Sequence, residues 1–310
     1  DDFYDEIERW YDEGYPKSPK PGIEGIDHMI SFGKGMLTII TGIPGHGKDE
    51  FMNWIIASMS KKHGWRWGIA SYEERSEITT TKIIEKHIGK AFAFRKNPLH
   101  RMTKEEFQKG AIFVHDHCYF LKTEEIERGK DALFARFSEL VRRKGINAII
   151  INPWNCIDHL IPPGVSETSY VSDFLSGLIS LLKRYDLHGF LVAHPTKMNK
   201  QKDTGKYEIP TLYNISGSAH FYNKTHNGIA IYRDFESNIT TVYFQKIKHS
   251  WEGQVGFSVF EFDADTRTYK YVRGNSNPQS PEPKNIDAAE LPYPGNWKPL
   301  ADVIGDKEFL

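Results

Sequence analysis

Residues 38–51 read TIITGIPGHGKDEF. A short apolar run, MLTIIT over 36–41, predicts a strand entering a glycine-rich turn. Residues 48–62 predict a helix leaving it, with Phe51, Trp54, Ile55 and Met59 on one side. The turn carries Gly-x-x-x-x-Gly-Lys, from Gly42 to Lys48. That match is weak alone. Set between a strand and a helix, it is the arrangement in which turn N–H groups and a helix N-terminus cradle phosphates. Gly42, Pro44, Gly45, His46, Gly47, Lys48, Asp49 and Glu50 are therefore candidate nucleotide contacts, with Lys48 reaching the β and γ phosphates as a point charge. The pattern normally continues with Ser or Thr, whose hydroxyl meets Mg2+. Here that position is Asp49.

Working outward, the pattern alternates strand and helix. Strands are expected over 66–73, 147–152 and 189–194, and helices over 76–88, 124–144 and 168–185. After Pro210 four consecutive strands follow, in NGIAIYR, ITTVYFQKIK, GQVGFSVFEF and TYKYV. This order predicts an α/β fold with a central parallel sheet flanked by helices and antiparallel strands added at the C-terminal edge. Residues 3–14 form an acidic helix with Phe3, Ile7, Trp10 and Tyr11 near one face, and residues 1–20 as a whole read as a linker helix and connector. The main domain spans 21–274, and 275–310, rich in Pro, Ser and Asn, reads as a flexible tail.

The chain has 310 residues and a net charge of −1, so any nucleic-acid surface must be local, in loops. No apolar run approaches the length of a membrane span. Cys118 and Cys156 are no disulfide framework and read as buried fillers in a reducing cytoplasm, with a phage protein in a bacterial host or an organellar one also open. The first residue is Asp, which predicts a fragment or processed chain.

A second acidic landmark is expected at the end of a buried strand, where an Asp supports the metal. AIIINPWN supplies the strand, but its end is Asn152. A carboxylate is gained at Asp49 and one is lost at Asn152. Two readings follow. The carboxylate has moved across the site, with Asp49 binding Mg2+ and Asn152 donating its amide to orient it. Alternatively the metal site has degenerated and hydrolysis is lost.

In this order, PGIEGIDHMISFGKGMLTIITGIPGHGK, ASYEE, IIINPWNCIDH, LVAHPTK, ISGSAHFYNKTHNGIAIYR and QKIKH resemble the RecA-like motor domain of DnaB-type ring helicases, including phage primase-helicases and the mitochondrial helicase Twinkle. The likeness runs from about Pro21 to Tyr271. It implies an ATPase core that uses ATP or another NTP with Mg2+ and moves 5′ to 3′ on single-stranded DNA. It further implies assembly as a hexamer or heptamer, with a primase or similar domain upstream.

The resemblance also assigns roles. Glu73 would polarise the attacking water, with Glu74 the rival if the register slips. His194 would sense the γ phosphate. The loop KMNKQKDTGK would hold DNA through Lys197, Lys200, Lys202 and Lys206, unless it is only a solvated surface. Asn223 and Lys224 suggest a second DNA loop, and Arg233 a position near the nucleotide. Lys246 and Lys248, on one face of a strand, would reach the next subunit's nucleotide, although the family has Arg where this chain has Lys248. They could equally protect an edge strand from aggregation. Two other classes remain: a ring or filament that binds nucleotide and DNA without turnover, and a recombinase- or clock-type ATPase of the same core.

Overall fold

The computed structural model describes residues 2–93, 98–126, 129–157, 159, 161–196, 198–200, 205–215 and 219–274. The tail expected over 275–310 and the candidates Lys197 and Lys202 lie outside these. The described residues divide into two units, residues 2–17 and residues 18–274. In the first, α1 (Asp2–Glu13) exposes Phe3, Ile7 and Tyr11, spaced four apart and so on one side of the helix.

The second unit is built on one sheet of nine strands. Its elements in chain order are β1 (Leu37–Gly42), α2 (Lys48–His63), β2 (Trp67–Ser71), α3 (Ser76–Ile88), α4 (Lys104–His117), β3 (Cys118–Phe120), α5 (Lys130–Lys144), β4 (Ala148–Asn152), α6 (Glu167–Arg184), β5 (His188–Ala193), α7 (His220–Lys224), β6 (Asn227–Asp234), β7 (Ile239–Ile247), β8 (Gly256–Asp263) and β9 (Thr268–Gly274). The strand order is β3-β2-β4-β5-β1-β6-β7-β8-β9. Pairings from β3 through β6 are parallel, and those from β6 through β9 antiparallel.

The parallel strands carry apolar residues on both faces because helices cover both. Alternation sorts them. Ile40, Ile150, Phe190 and Val192 pack with Phe51, Ile55 and Met59 of α2. Ile39, Ile149, Ile151 and Leu191 pack with Phe137 of α5 and Phe174, Leu175 and Leu178 of α6. No helix among the described residues is long and apolar enough to cross a membrane.

Four local features differ from expectation. α4 and β3 fill a stretch that the sequence pattern leaves unassigned. Thr103 and Glu106 start α4 with reciprocal hydrogen bonds, a capping box. α5 begins at Lys130, not 124, because a short 3-10 turn over Thr123–Glu125 and the N-cap Gly129 precede it. α7 is a short helix between β5 and β6. Cys118 is buried, its thiol pushed up to about 12 by burial, but Cys156 is exposed and fills no core.

Candidate nucleotide site

The C-terminal ends of β1, β2, β4 and β5 lie side by side in the sheet, where open α/β sheets bind ligands. β1 ends at Gly42, β4 at Asn152 and β5 at Ala193, just before His194; Glu73 follows β2 by two residues.

The turn after β1 needs glycine at three points. A Cβ on Gly42 would sit 2.5 Å from the carbonyl oxygen of Ile231 on β6. Gly45 and Gly47 have φ of 81° and 93°, which disfavour other residues. Gly47 caps α2, so the helix's first N–H groups open onto the turn. Lys48 is only 4% exposed and donates to the carbonyls of Gly42 at 2.8 Å and Ile43 at 3.2 Å. Burial lowers its pKa to about 8, against the opposing pull of Asp49 and Glu73. A buried ammonium whose charge is disfavoured suits an incoming polyanion.

Asp49 and Asn152 meet. The Asn152 amide Nδ2 donates to Asp49 Oδ1 at 2.8 Å. The main-chain N–H of Tyr72 donates to the Asn152 carbonyl at 2.8 Å, tying the end of β2 to that of β4. Glu73 Oε2 lies 3.5 Å from His194 Nε2, with the Glu73 side chain half exposed. The rival Glu74 is instead paired with Lys82 on α3. Burial and the Lys48 charge lower the His194 pKa, with Glu73 and Asp49 opposing. Its main-chain N–H donates to Asn155 Oδ1 at 2.7 Å, and its Nδ1 is buried with no partner among the described residues.

The antiparallel strands wall the site. His46 Nδ1 accepts the main-chain N–H of Arg233 at 3.1 Å, and its ring meets those of Tyr232 and Phe235 edge-on. The Arg233 guanidinium lies over Phe262 at 4.7 Å and donates to Asn238 Oδ1 at 2.6 Å. Such a platform offers a planar group a surface for stacking. Glu50 is not turned to the phosphate turn: it pairs with buried Lys86 of α3 at 2.6 Å, beneath Phe262 and Tyr269. Phe262 and Tyr269 were not singled out by sequence. Their alternation signals a strand, and nothing local ties them to the turn.

No family model matches the chain. It is 32% identical over 278 residues to the Twinkle homolog protein, chloroplastic/mitochondrial, of Arabidopsis thaliana, a match that covers 86% of this chain and 39% of that protein. The chain thus spans about two fifths of that relative's length. Its fold resembles that of a solved ATPase domain, with a TM-score of 0.68 and 15% identity over 87% of this chain and 96% of that one. It also resembles a DnaB-like replicative helicase described with its primase interactions, with a TM-score of 0.65 and 16% identity over 87% of this chain and 65% of that one. This is a RecA-like domain of the DnaB helicase type.

The structure places the remaining candidates of this DnaB-type domain as follows. Tyr207 is bridged to Lys200, whose ammonium lies 5.1 Å from its ring centroid. Lys206 pairs with Asp234 at 2.7 Å. Lys224 is directed at α6, donating to the Ser172 carbonyl at 2.8 Å and to Ser176 Oγ. Asn223 lends its carbonyl to Lys246 at 3.3 Å. Lys246 also donates to the Tyr222 carbonyl at 2.6 Å, so its ammonium is held within its own chain. The pair does not share a strand: β7 ends at Ile247, and exposed Lys248 lies just beyond, its main-chain N–H on the His226 carbonyl.

Proposed function

We infer that this domain hydrolyses a nucleoside triphosphate with Mg2+ and uses the reaction to move 5′ to 3′ along single-stranded DNA, as a ring of six or seven copies with nucleotide between neighbours. The observation that carries the reading is the convergence of Lys48, Glu73 and His194 at adjacent strand ends, with Glu73 and His194 3.5 Å apart.

In this reading the turn N–H groups and Lys48 hold the phosphates. Glu73, partly open to solvent, orients a water for attack. His194, kept neutral by burial, meets the γ phosphate and passes its state to the lysine loop that follows. Asp49 would hold Mg2+, which would supply neutralisation of the charge that develops on phosphoryl transfer. The residues fit that ion: Asp49 Oδ2 makes no hydrogen bond among the described residues, and a carboxylate with phosphates is the donor set Mg2+ favours. Single-stranded DNA would follow Lys200 and its neighbours by charge, without reading sequence.

Unwinding of a forked duplex with a 5′ tail, together with DNA stimulation of ATPase activity, tests the reading. A chain that stays monomeric and shows neither refutes it. One observation favours a second reading, binding without turnover: Lys246 is engaged in its own chain and so is withdrawn from a neighbour's nucleotide. Nucleotide binding without hydrolysis at saturating Mg2+ would select that reading.

A further inference from the structure

We propose that in this domain the cation accompanying the triphosphate is ligated by the Asp49 carboxylate from the helix side, and that Asn152 positions that carboxylate instead of supporting the metal from the strand side. The inference rests on the reading that the phosphate turn binds a triphosphate.

Phosphate-loop sites place a hydroxyl after the lysine and a carboxylate at the strand end. Here both positions are exchanged, and the two residues, 103 apart in sequence, touch at 2.8 Å. An ionised carboxylate only accepts hydrogen bonds, so the Asn152 amide must present its nitrogen to Asp49. Its oxygen, the atom by which an amide ligates a metal, is therefore turned from that contact. Asp49 Oδ1 is fixed by the amide, and Oδ2 makes no hydrogen bond among the described residues.

The site keeps one carboxylate, as the usual arrangement does. Two at this distance would repel and force one to take a proton. A small chamber of about 10 Å³ beside the pair, room for about one water, is lined by Asp49, Asn53, Ser71, Glu74, Thr79 and Asn152 together with the apolar Met52, Ile56, Ile69 and Ile150. Asn53, one helical turn beyond Asp49, is 3% exposed, and its Nδ2 has no partner among the described residues. A buried amide donor without a partner marks room for a polar ligand.

The test is the affinity of the whole chain for the methylanthraniloyl derivative of the non-hydrolysable analogue AMP-PNP, with Mg2+ and with EDTA, read by fluorescence. The wild type is expected to bind at least about tenfold more tightly with Mg2+, the equivalent of one good ionic contact. Asp49→Asn keeps an acceptor for Asn152 but loses the charge, so the ratio of its affinity with Mg2+ to that with EDTA should fall to about one. Asp49→Cys should shift the preference from Mg2+ to the softer Cd2+, a change that only a direct ligand produces. Asp49→Ser with Asn152→Asp should regain the Mg2+ effect that each single change removes. Equal wild-type affinity in Mg2+ and EDTA, or an Asp49→Asn chain with the full gain, overturns the inference and leaves the nucleotide site standing. Absence of binding under both conditions overturns the nucleotide reading itself.

Discussion

Lys48 gives the nucleotide-free protein a pH dependence that can be worked out in advance. Burial lowers its pKa from 10.5 to about 8. At 1.36 kcal/mol for each pH unit, the charged side chain costs the folded state about 3 kcal/mol relative to the unfolded chain. Below pH 8 Lys48 is charged in both states and the full cost applies. Above pH 8 the folded chain releases its proton while the unfolded chain keeps it until 10.5, so stability rises with pH. Between pH 7 and 9.5 the gain is about 2 kcal/mol. Lys48→Met keeps the stem and removes the titration. The wild-type stability minus that of Lys48→Met, from urea unfolding followed by tryptophan fluorescence, should therefore rise by about 2 kcal/mol over that range. Saturating nucleotide supplies the missing anion and should flatten the wild-type slope. A difference that stays level from pH 7 to 9.5 without nucleotide would refute the claim that Lys48 is held charged in a buried pocket.

Glu73→Gln should bind nucleotide with wild-type affinity and lose about a hundredfold or more in phosphate release, since general-base help contributes on that scale; undiminished turnover would remove Glu73 from the water-orienting role. Lys86→Met strands the Glu50 carboxylate beneath Phe262 and should lower stability by about 3 to 5 kcal/mol in urea unfolding. A loss below about 1 kcal/mol would mean that the pair behaves as an exposed one. Lys248→Met should depress DNA-stimulated hydrolysis far more than it depresses the stability of the isolated chain, whereas Lys246→Met should lower stability, because its ammonium holds two carbonyls of α7. The reverse ranking would assign the intersubunit charge to Lys246.

The sheet's centre was legible because β1, β4 and β5 are short, largely apolar runs. α4 was not. It buries only Gly110 and Val114, and its glycine and two histidines dilute the helical pattern; the capping box at Thr103 was the one usable signal. Residues at strand ends were easier to place, since the end of a strand fixes a position in space: Asn152, at the end of β4, meets Asp49 at the start of α2, and Glu73 and His194, just past β2 and β5, lie 3.5 Å apart. The errors fall where long-range packing decides. Glu50 follows Asp49 directly, yet α3 brings Lys86 to it. Lys224 and Lys246 look like free surface charge in sequence, but α6 gives Lys224 a partner and α7 gives Lys246 one. A strand register slips at Gly228, where β6 and β7 pair, and no local pattern predicts that.

The antiparallel strands then have a specific physical role. The phosphate turn alone supplies N–H groups and one lysine. β6 adds the main-chain N–H that holds His46 and the guanidinium of Arg233; β8 and β9 add Phe262 and Tyr269. Gly47 would bring a Cβ to 3.5 Å from the Tyr269 hydroxyl, so β9 packs almost onto the turn itself. Trp54 of α2 stacks on the same ring at 4.9 Å. A change in the turn on binding phosphate must therefore be taken up by this extension as well as by α2, because close-packed aromatic rings leave no slack between them. β7 belongs to the same extension and ends next to Lys248, the exposed cation of the two that the motif predicted. The chain's own packing thus runs from its phosphate turn through β6 and β7 towards Lys248, and the lysine loop touches the same path, Lys206 pairing with Asp234 of β6 and the Tyr207 ring meeting that of His46 edge-on.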